Sequence, residues 1–86
     1  MDSSAITQFL DSIMESPAVT GVILCDIKSG LCLGAAGKAK EDDAPQLTVA
    51  SRQACDNEGV GVVSLRGSRV VLRRGETALV GVFKDV

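Results

Sequence analysis

Apolar residues Ile6, Phe9, Leu10, Ile13 and Met14 recur at i, i+3, i+4, i+7 and i+8, the spacing that gathers side chains onto one stripe of an α-helix. Asp2, Ser3 or Ser4 can cap its start, and Ser16-Pro17 ends it. The period then changes. Val19-Thr20-Gly21-Val22-Ile23-Leu24-Cys25-Asp26 leads through Ile27-Lys28-Ser29-Gly30 into Leu31-Cys32-Leu33, a hairpin with glycine at the left-handed turn position. The first of these strands is apolar on both faces, so it belongs inside a sheet covered above and below. Asp43-Ala44-Pro45-Gln46 predicts a second helix, with an Asp cap, proline in the first turn and glutamine reaching back to the cap. It runs to about Asp56 with a small-residue inner face of Leu47, Ala50, Ser51, Ala54 and Cys55, and Asn57-Glu58-Gly59 terminates it.

A three-stranded meander follows: residues 60–65, a turn at Arg66-Gly67-Ser68, residues 69–73, a turn at Arg74-Gly75-Glu76, and residues 77–83. The last strand is also apolar on both faces. It and the first strand are therefore expected side by side at the centre, with residues 31–33 and 60–65 at the two edges. The result is one α+β domain over residues 1–86, of order α-β-β-α-β-β-β around a five-stranded, mainly antiparallel sheet.

Composition narrows the function. A chain of 86 residues buries little more than about 60% of its unfolded surface, and domains this small often gain stability from a partner. With Phe9 and Phe83 as the only aromatics, the core is aliphatic and little remains for stacking on bases or sugars. The apolar run at residues 19–25 is far short of the roughly 20 residues a membrane span needs, and no basic-then-apolar leader opens the chain. It reads as a soluble protein. Cys25, Cys32 and Cys55 form no C-x-x-C pair, so free thiols in a reducing compartment are expected, acting as small buried hydrophobes. The absence of histidine removes the commonest general base, the nucleophilic triads and most zinc sites. Glu41-Asp42-Asp43 suits the positive end of the second helix better than a metal. No catalytic residue, cofactor or metal is expected.

The stretch GLCLGAAGKAK, residues 30–40, looks at first like a phosphate-binding loop. Only Ala35 and Ala36 separate Gly34 from Gly37, and Ala39 follows Lys38 where the magnesium-binding hydroxyl would stand. Its glycines are expected to close a hairpin (Gly30) and to let the chain leave the sheet (Gly34 and Gly37). Charge is uneven: residues 1–59 are net −5 and residues 60–86 net +3, with Arg66, Arg69, Arg73 and Arg74 on the meander. Without aromatics this is a poor nucleic-acid surface. It reads as a solvated strand face that protects an edge, or as a patch that meets an acidic protein.

The element order, together with Ser16-Pro17-Ala18-Val19-Thr20-Gly21-Val22, Asp26-Ile27-Lys28-Ser29-Gly30 and Gly30-Leu31-Cys32-Leu33-Gly34, resembles the roadblock/LC7 superfamily and, within it, the short subunits of the Ragulator complex. The resemblance implies a sheet ordered 2-1-5-4-3 with helices on both faces and no C-terminal helix. It also implies dimerisation by pairing third strands and packing second helices. On this sequence the interface would be Val60, Gly61, Val62, Val63, Ser64 and Leu65 with Val49, Arg52, Gln53 and Asp56. The edge strand carries no charge before Arg66, which invites such pairing. Proline at Val62 or lysine at Val63 is expected to abolish it while leaving the monomer folded.

The implied role is a non-catalytic scaffold. Its partners would be a second short roadblock subunit, a lipid-anchored scaffold subunit, another roadblock pair and, through the assembly, Rag GTPases. The setting would be the late endosome or lysosome surface, in support of amino-acid-dependent TORC1 activation. Two alternatives stand beside it: a roadblock homodimer serving a dynein motor or another small GTPase, and a small ligand-binding module or enzyme of profilin- or PAS-like shape using Cys32 or Cys55.

Overall fold

The computed structural model describes residues 3–85. The elements are α1 (Ser3–Met14), β1 (Val19–Asp26), β2 (Cys32–Gly37), α2 (Asp43–Ala54), β3 (Val60–Leu65), β4 (Ser68–Arg74) and β5 (Ala78–Asp85). The strands form one antiparallel sheet in the order β2-β1-β5-β4-β3. The doubly apolar strands β1 and β5 lie together at its centre, as their sequences require. Val22, Ile23, Leu24 and Cys25 are all buried, so β1 is covered on both faces.

The two helices supply the covers. On one face α2 buries Leu47 against Ile23, Cys25, Val70, Leu72, Leu79 and Phe83. On the other, Leu10 of α1 packs with Val22 and Leu24, flanked by Ile6, Ile13 and Met14. Phe9, at the margin of the helical stripe, stays 41% exposed. Ser3 and Ser4 lie within α1, and Asp2, the remaining candidate cap, lies outside the described residues.

Several boundaries depart from the sequence reading, each for a packing reason. The second strand runs from Cys32 to Gly37 rather than over residues 31–33, although Gly34, Ala35 and Ala36 are weak strand formers. Their size is the point. A Cβ on Gly34 would stand 2.7 Å from Ile6 Cγ2 and 3.0 Å from Leu10 Cδ1, so the small residues seat α1 on the sheet. Gly34 is therefore a packing position within the strand, and Gly37, with φ of 65°, is where the chain turns out.

The second helix ends at Ala54, short of Asp56, because Asp56 is used by the turn into β3. Its carboxylate accepts hydrogen bonds from the Glu58 and Val60 amides at 2.9 and 3.1 Å. The buried side of α2 comprises Asp43, Ala44, Leu47, Thr48 and Ser51, while Ala50, Ala54 and Cys55 are half-buried. Thr48, unexpected there, donates to the Ala44 carbonyl at 2.7 Å, and Ser51 donates to that of Thr48 at 2.8 Å. Both hydroxyls are thus satisfied by the helix itself. The β3–β4 turn is tighter than expected, since Ser68 already lies in β4. Arg66 and Gly67 have φ of 49° and 79°, the paired left-handed conformation of a two-residue hairpin. No described helix is long and apolar enough to cross a membrane.

Candidate functional site

The sheet has two open edges, and they are built differently. Along β2 the register shifts at the Leu24/Cys25 step, so that Cys25 faces Cys32 and Leu24 faces Gly34 with Leu33 left over. Such a bulge twists an edge away from further pairing. Along β3 the register with β4 is unbroken, from Val60↔Arg73 to Leu65↔Ser68. The strand contains no proline, no charge and no bulge.

Alternation in an antiparallel ladder decides which backbone groups point outward. The Arg74 amide donates to the Gly59 carbonyl at 2.7 Å, which marks Gly59 and Arg74 as a hydrogen-bonded pair. Gly61, Val63 and Leu65 accordingly bond to β4, and Val60, Val62 and Ser64 turn their N–H and C=O groups to the open edge. Val60 is already engaged: its carbonyl accepts from the Asp56 amide at 2.9 Å and its amide donates to the Asp56 carboxylate. Val62 and Ser64 are left as the free pair, and the Val62 side chain is 55% exposed.

Helix α2 reaches this edge with its C-terminal turn. Its first residue, Asp43, is bound by Arg66 just past the C-terminus of β3, and its last, Ala54, lies over Gly61 near the start of β3. The helix also touches β1 and β2, and Pro45 in its first turn lies beside Gly30 of the β1–β2 hairpin, so it crosses this face of the sheet and comes to β3 with its C-terminal turn. Val49, 61% exposed, and the exposed Arg52 and Gln53 stand on its outer side.

Of the residues expected at an interface, Val49, Arg52, Gln53, Val62 and Ser64 are exposed along this edge and helix. Val60 and Asp56 are tied to each other in the turn. Gly61 and Leu65 are buried. Val63 is half-buried against the core under α2, so a lysine there would disturb the monomer and is no clean test of pairing; that expectation is corrected.

The Asp43–Arg66 contact fixes the helix beside the edge. Asp43 is not the N-cap, a position held by Asp42 without a side-chain bond. Instead its buried carboxylate is gripped from two sides. Arg66 Nη1 donates to Oδ1, Arg66 Nη2 donates to Oδ2 at 2.9 Å, and the Lys40 amide donates to Oδ2 at 2.9 Å. The Arg66 hydrogen bonds hold the Asp43 carboxyl below the usual aspartate range against the opposing effect of burial. A carboxyl with a lowered folded-state pKa stabilises fully above the ordinary aspartate value, and that contribution is lost as pH falls through the folded value. Asp43→Asn is expected to cost about 2 kcal/mol at neutral pH. The gap to the parent should shrink as pH falls below about 4. Urea melts at pH 7 and pH 3 measure this, and a gap unchanged between them would rule the account out.

Cys25, Cys32 and Cys55 are free thiols. Burial pushes Cys25 up to about 11 and raises Cys32 and Cys55, the opposite of what an activated nucleophile needs. Cys32 borders a shallow cleft of about 380 Å³ with Leu31, Glu41, Asp42 and Pro45, and the Glu41 charge adds to burial in raising its thiol.

Residues 1–84 match the model of the family described as Ragulator complex protein LAMTOR5. Comparison with curated protein sequences finds no match. Among solved structures the chain is similar to Myxococcus xanthus MglB, with a TM-score of 0.78 at 12% identity over 98% of this chain and 72% of that one. It is similar to the gliding protein MglB from Thermus thermophilus, with a TM-score of 0.74 at 14% identity over 96% and 73%. A roadblock/LC7 domain from Streptomyces avermitilis aligns with a TM-score of 0.65 at 14% identity over 91% and 76%. These likenesses establish the roadblock/LC7 fold.

Proposed function

The chain belongs to the family of Ragulator complex protein LAMTOR5, and we propose that it is a non-catalytic scaffold subunit that pairs through β3 and α2 with a second short roadblock subunit. The observation that carries this reading is the unprotected β3 edge, with Val62 and Ser64 turned outward beside an exposed helix face. Two such edges meeting antiparallel about a pseudo-two-fold at Val63 would set Val62 opposite the partner's second outward residue, and Ser64 opposite its first. Four backbone hydrogen bonds would result, each a modest net gain of about 1 kcal/mol.

A six-residue edge alone is too small for a stable interface, which typically buries on the order of 800 Å² per partner. The outer side of α2 supplies the rest. Val49 is the one large exposed hydrophobic residue on α2 and would be its apolar contact with the partner.

In the cell the pair would be held by a lipid-anchored scaffold subunit together with another roadblock pair on the late endosome or lysosome surface. The assembly would recruit and regulate Rag GTPases for amino-acid-dependent TORC1 activation. Light scattering of the purified chain, alone and coexpressed with a candidate roadblock subunit, tests the reading. A 1:1 complex is expected. A stable homodimer indifferent to that subunit would instead support the homodimeric alternative.

A further inference from the structure

The bulge in the β1–β2 ladder has a chemical result. Ile23 faces Ala35 and Leu24 faces Gly34, so an unbroken register would next set Leu33 opposite Cys25. The bulge drops Leu33 and puts Cys32 there instead. It also changes the side on which Cys32 lies. Gly34 sits under α1, and regular alternation would send Cys32, two residues away, to that same side. Cys32 instead packs against the cluster on the α2 side that contains Cys25, while Leu33 is exposed at the edge.

The two cysteines stand at the spacing of a closable pair. The Asp26 amide donates to the Leu31 carbonyl at 2.9 Å, which marks Asp26 and Leu31 as hydrogen-bonded partners. Cys25 and Cys32, one step further in, are then a non-hydrogen-bonded pair, the closer of the two antiparallel spacings, with Cα atoms about 4.5 Å apart. Disulfides form across Cα separations of roughly 4.4–6.8 Å. The Cys32 charge adds to burial in raising Cys25, an effect that needs the two sulfurs near each other. Access is unequal. Cys25 is fully buried, and Cys32 is half-buried at the wall of the cleft it shares with Leu31, Glu41, Asp42 and Pro45, so a reagent in solvent meets Cys32 first. Cys55, the C-cap of α2, lies outside the strands.

We propose that Cys25 and Cys32 form a dithiol that a low-molecular-weight disulfide such as glutathione disulfide converts to a cross-strand disulfide. The Cys32 thiolate attacks one sulfur of glutathione disulfide and expels a glutathione thiolate, leaving a mixed disulfide on Cys32. The Cys25 thiol gives its proton to solvent and attacks Cys32 Sγ. The bond from Cys32 to glutathione breaks, and the second glutathione thiolate leaves. The two cysteines lose two electrons and two protons, and glutathione disulfide is reduced to two glutathiones. Neither thiol is acidic, so register rather than reactivity selects the pair, and closure is slow. The bond would tie β1 to β2 at the edge of the sheet opposite β3, so oxidation here and pairing there succeed or fail separately.

The test equilibrates the purified chain with glutathione buffers, once folded and once in urea, and quenches with acid. Lys28 lies between Cys25 and Cys32, and Arg52 and Arg66 flank Cys55. Trypsin therefore releases each cysteine on its own peptide, and mass spectrometry reads which are joined. The folded chain is expected to give Cys25–Cys32 as its main product, with an equilibrium constant at least tenfold above that in urea. Tenfold is about 1.4 kcal/mol. By linkage the oxidised chain should melt about 5 °C or more above the reduced one. Cys55→Ser should leave closure unchanged, and Cys32→Ser should abolish it with Cys25 left as the thiol. Products joined mainly through Cys55 would overturn the proposal, as would glutathione held on Cys32 without closure, or a folded-state constant less than tenfold above the urea value. So would an oxidised chain that melts at or below the reduced one.

Discussion

Replacing Val62 with proline is expected to abolish association with the partner roadblock subunit, weakening it at least 100-fold, while the monomer keeps its fold. The asymmetry comes from the direction of one N–H group. In the β3–β4 ladder the Val62 amide points to the open edge, so proline removes no hydrogen bond within the chain. Proline is tolerated on an edge strand whose N–H faces solvent. Across an interface the same substitution deletes a donor and sets a ring against the incoming strand. The monomer should lose no more than about 1 kcal/mol, the cost of moving φ toward −65°. Mass by light scattering with the partner present, and thermal melts without it, separate the two effects. Leu33→Asp on the bulged β2 edge is the control and should leave association intact. Association of the proline variant within tenfold of the parent would place the interface elsewhere.

Gly61→Val is expected to damage the monomer itself, by about 3 kcal/mol or more. A Cβ at Gly61 would lie 2.4 Å from the Ala54 carbonyl oxygen, 2.6 Å from its carbon and 2.9 Å from the Cys55 nitrogen. All three are backbone atoms, which no rotamer change can move. The C-terminal turn of α2 would have to lift from the sheet, at the upper end of the cost of overpacking. For a domain of this size that lowers the thermal midpoint by roughly 12 °C or more. The outer side of α2 would shift with it, so partner binding should weaken as well. Gly67→Ala provides the contrast. Its φ of 79° makes alanine strained there, but a Cβ meets nothing within 4 Å, so only about 1 kcal/mol is expected. Denaturant melts of both variants give the comparison, and equal costs would mean that α2 does not lie against Gly61.

Much of the proposed interface was legible because it rests on what β3 lacks. The stretch Val60-Gly61-Val62-Val63-Ser64-Leu65 has no charge, proline or interruption, and that absence is visible without coordinates. Which of its residues face outward was not. Val63 reads as an edge valine like Val62, yet one is half-buried against the core and the other 55% exposed, since a one-residue step on a strand reverses the side chain. Asp43 was equally opaque. Its place before a helix suggests a cap, but its charge partner, Arg66, is 23 residues away, a distance that local pattern does not encode.

The sequence by itself determined the element order and the central placement of β1 and β5. Apolar periodicity and two-sided burial are properties of single segments, and those segments state them directly. Only the tertiary structure decided where the elements touch. It set Gly34 under α1 and Gly61 under α2, brought Arg66 onto Asp43, and placed Cys32 opposite Cys25. Each of these depends on two segments meeting at a particular register, and on volume and charge shared between them. No property of either segment alone carries that information.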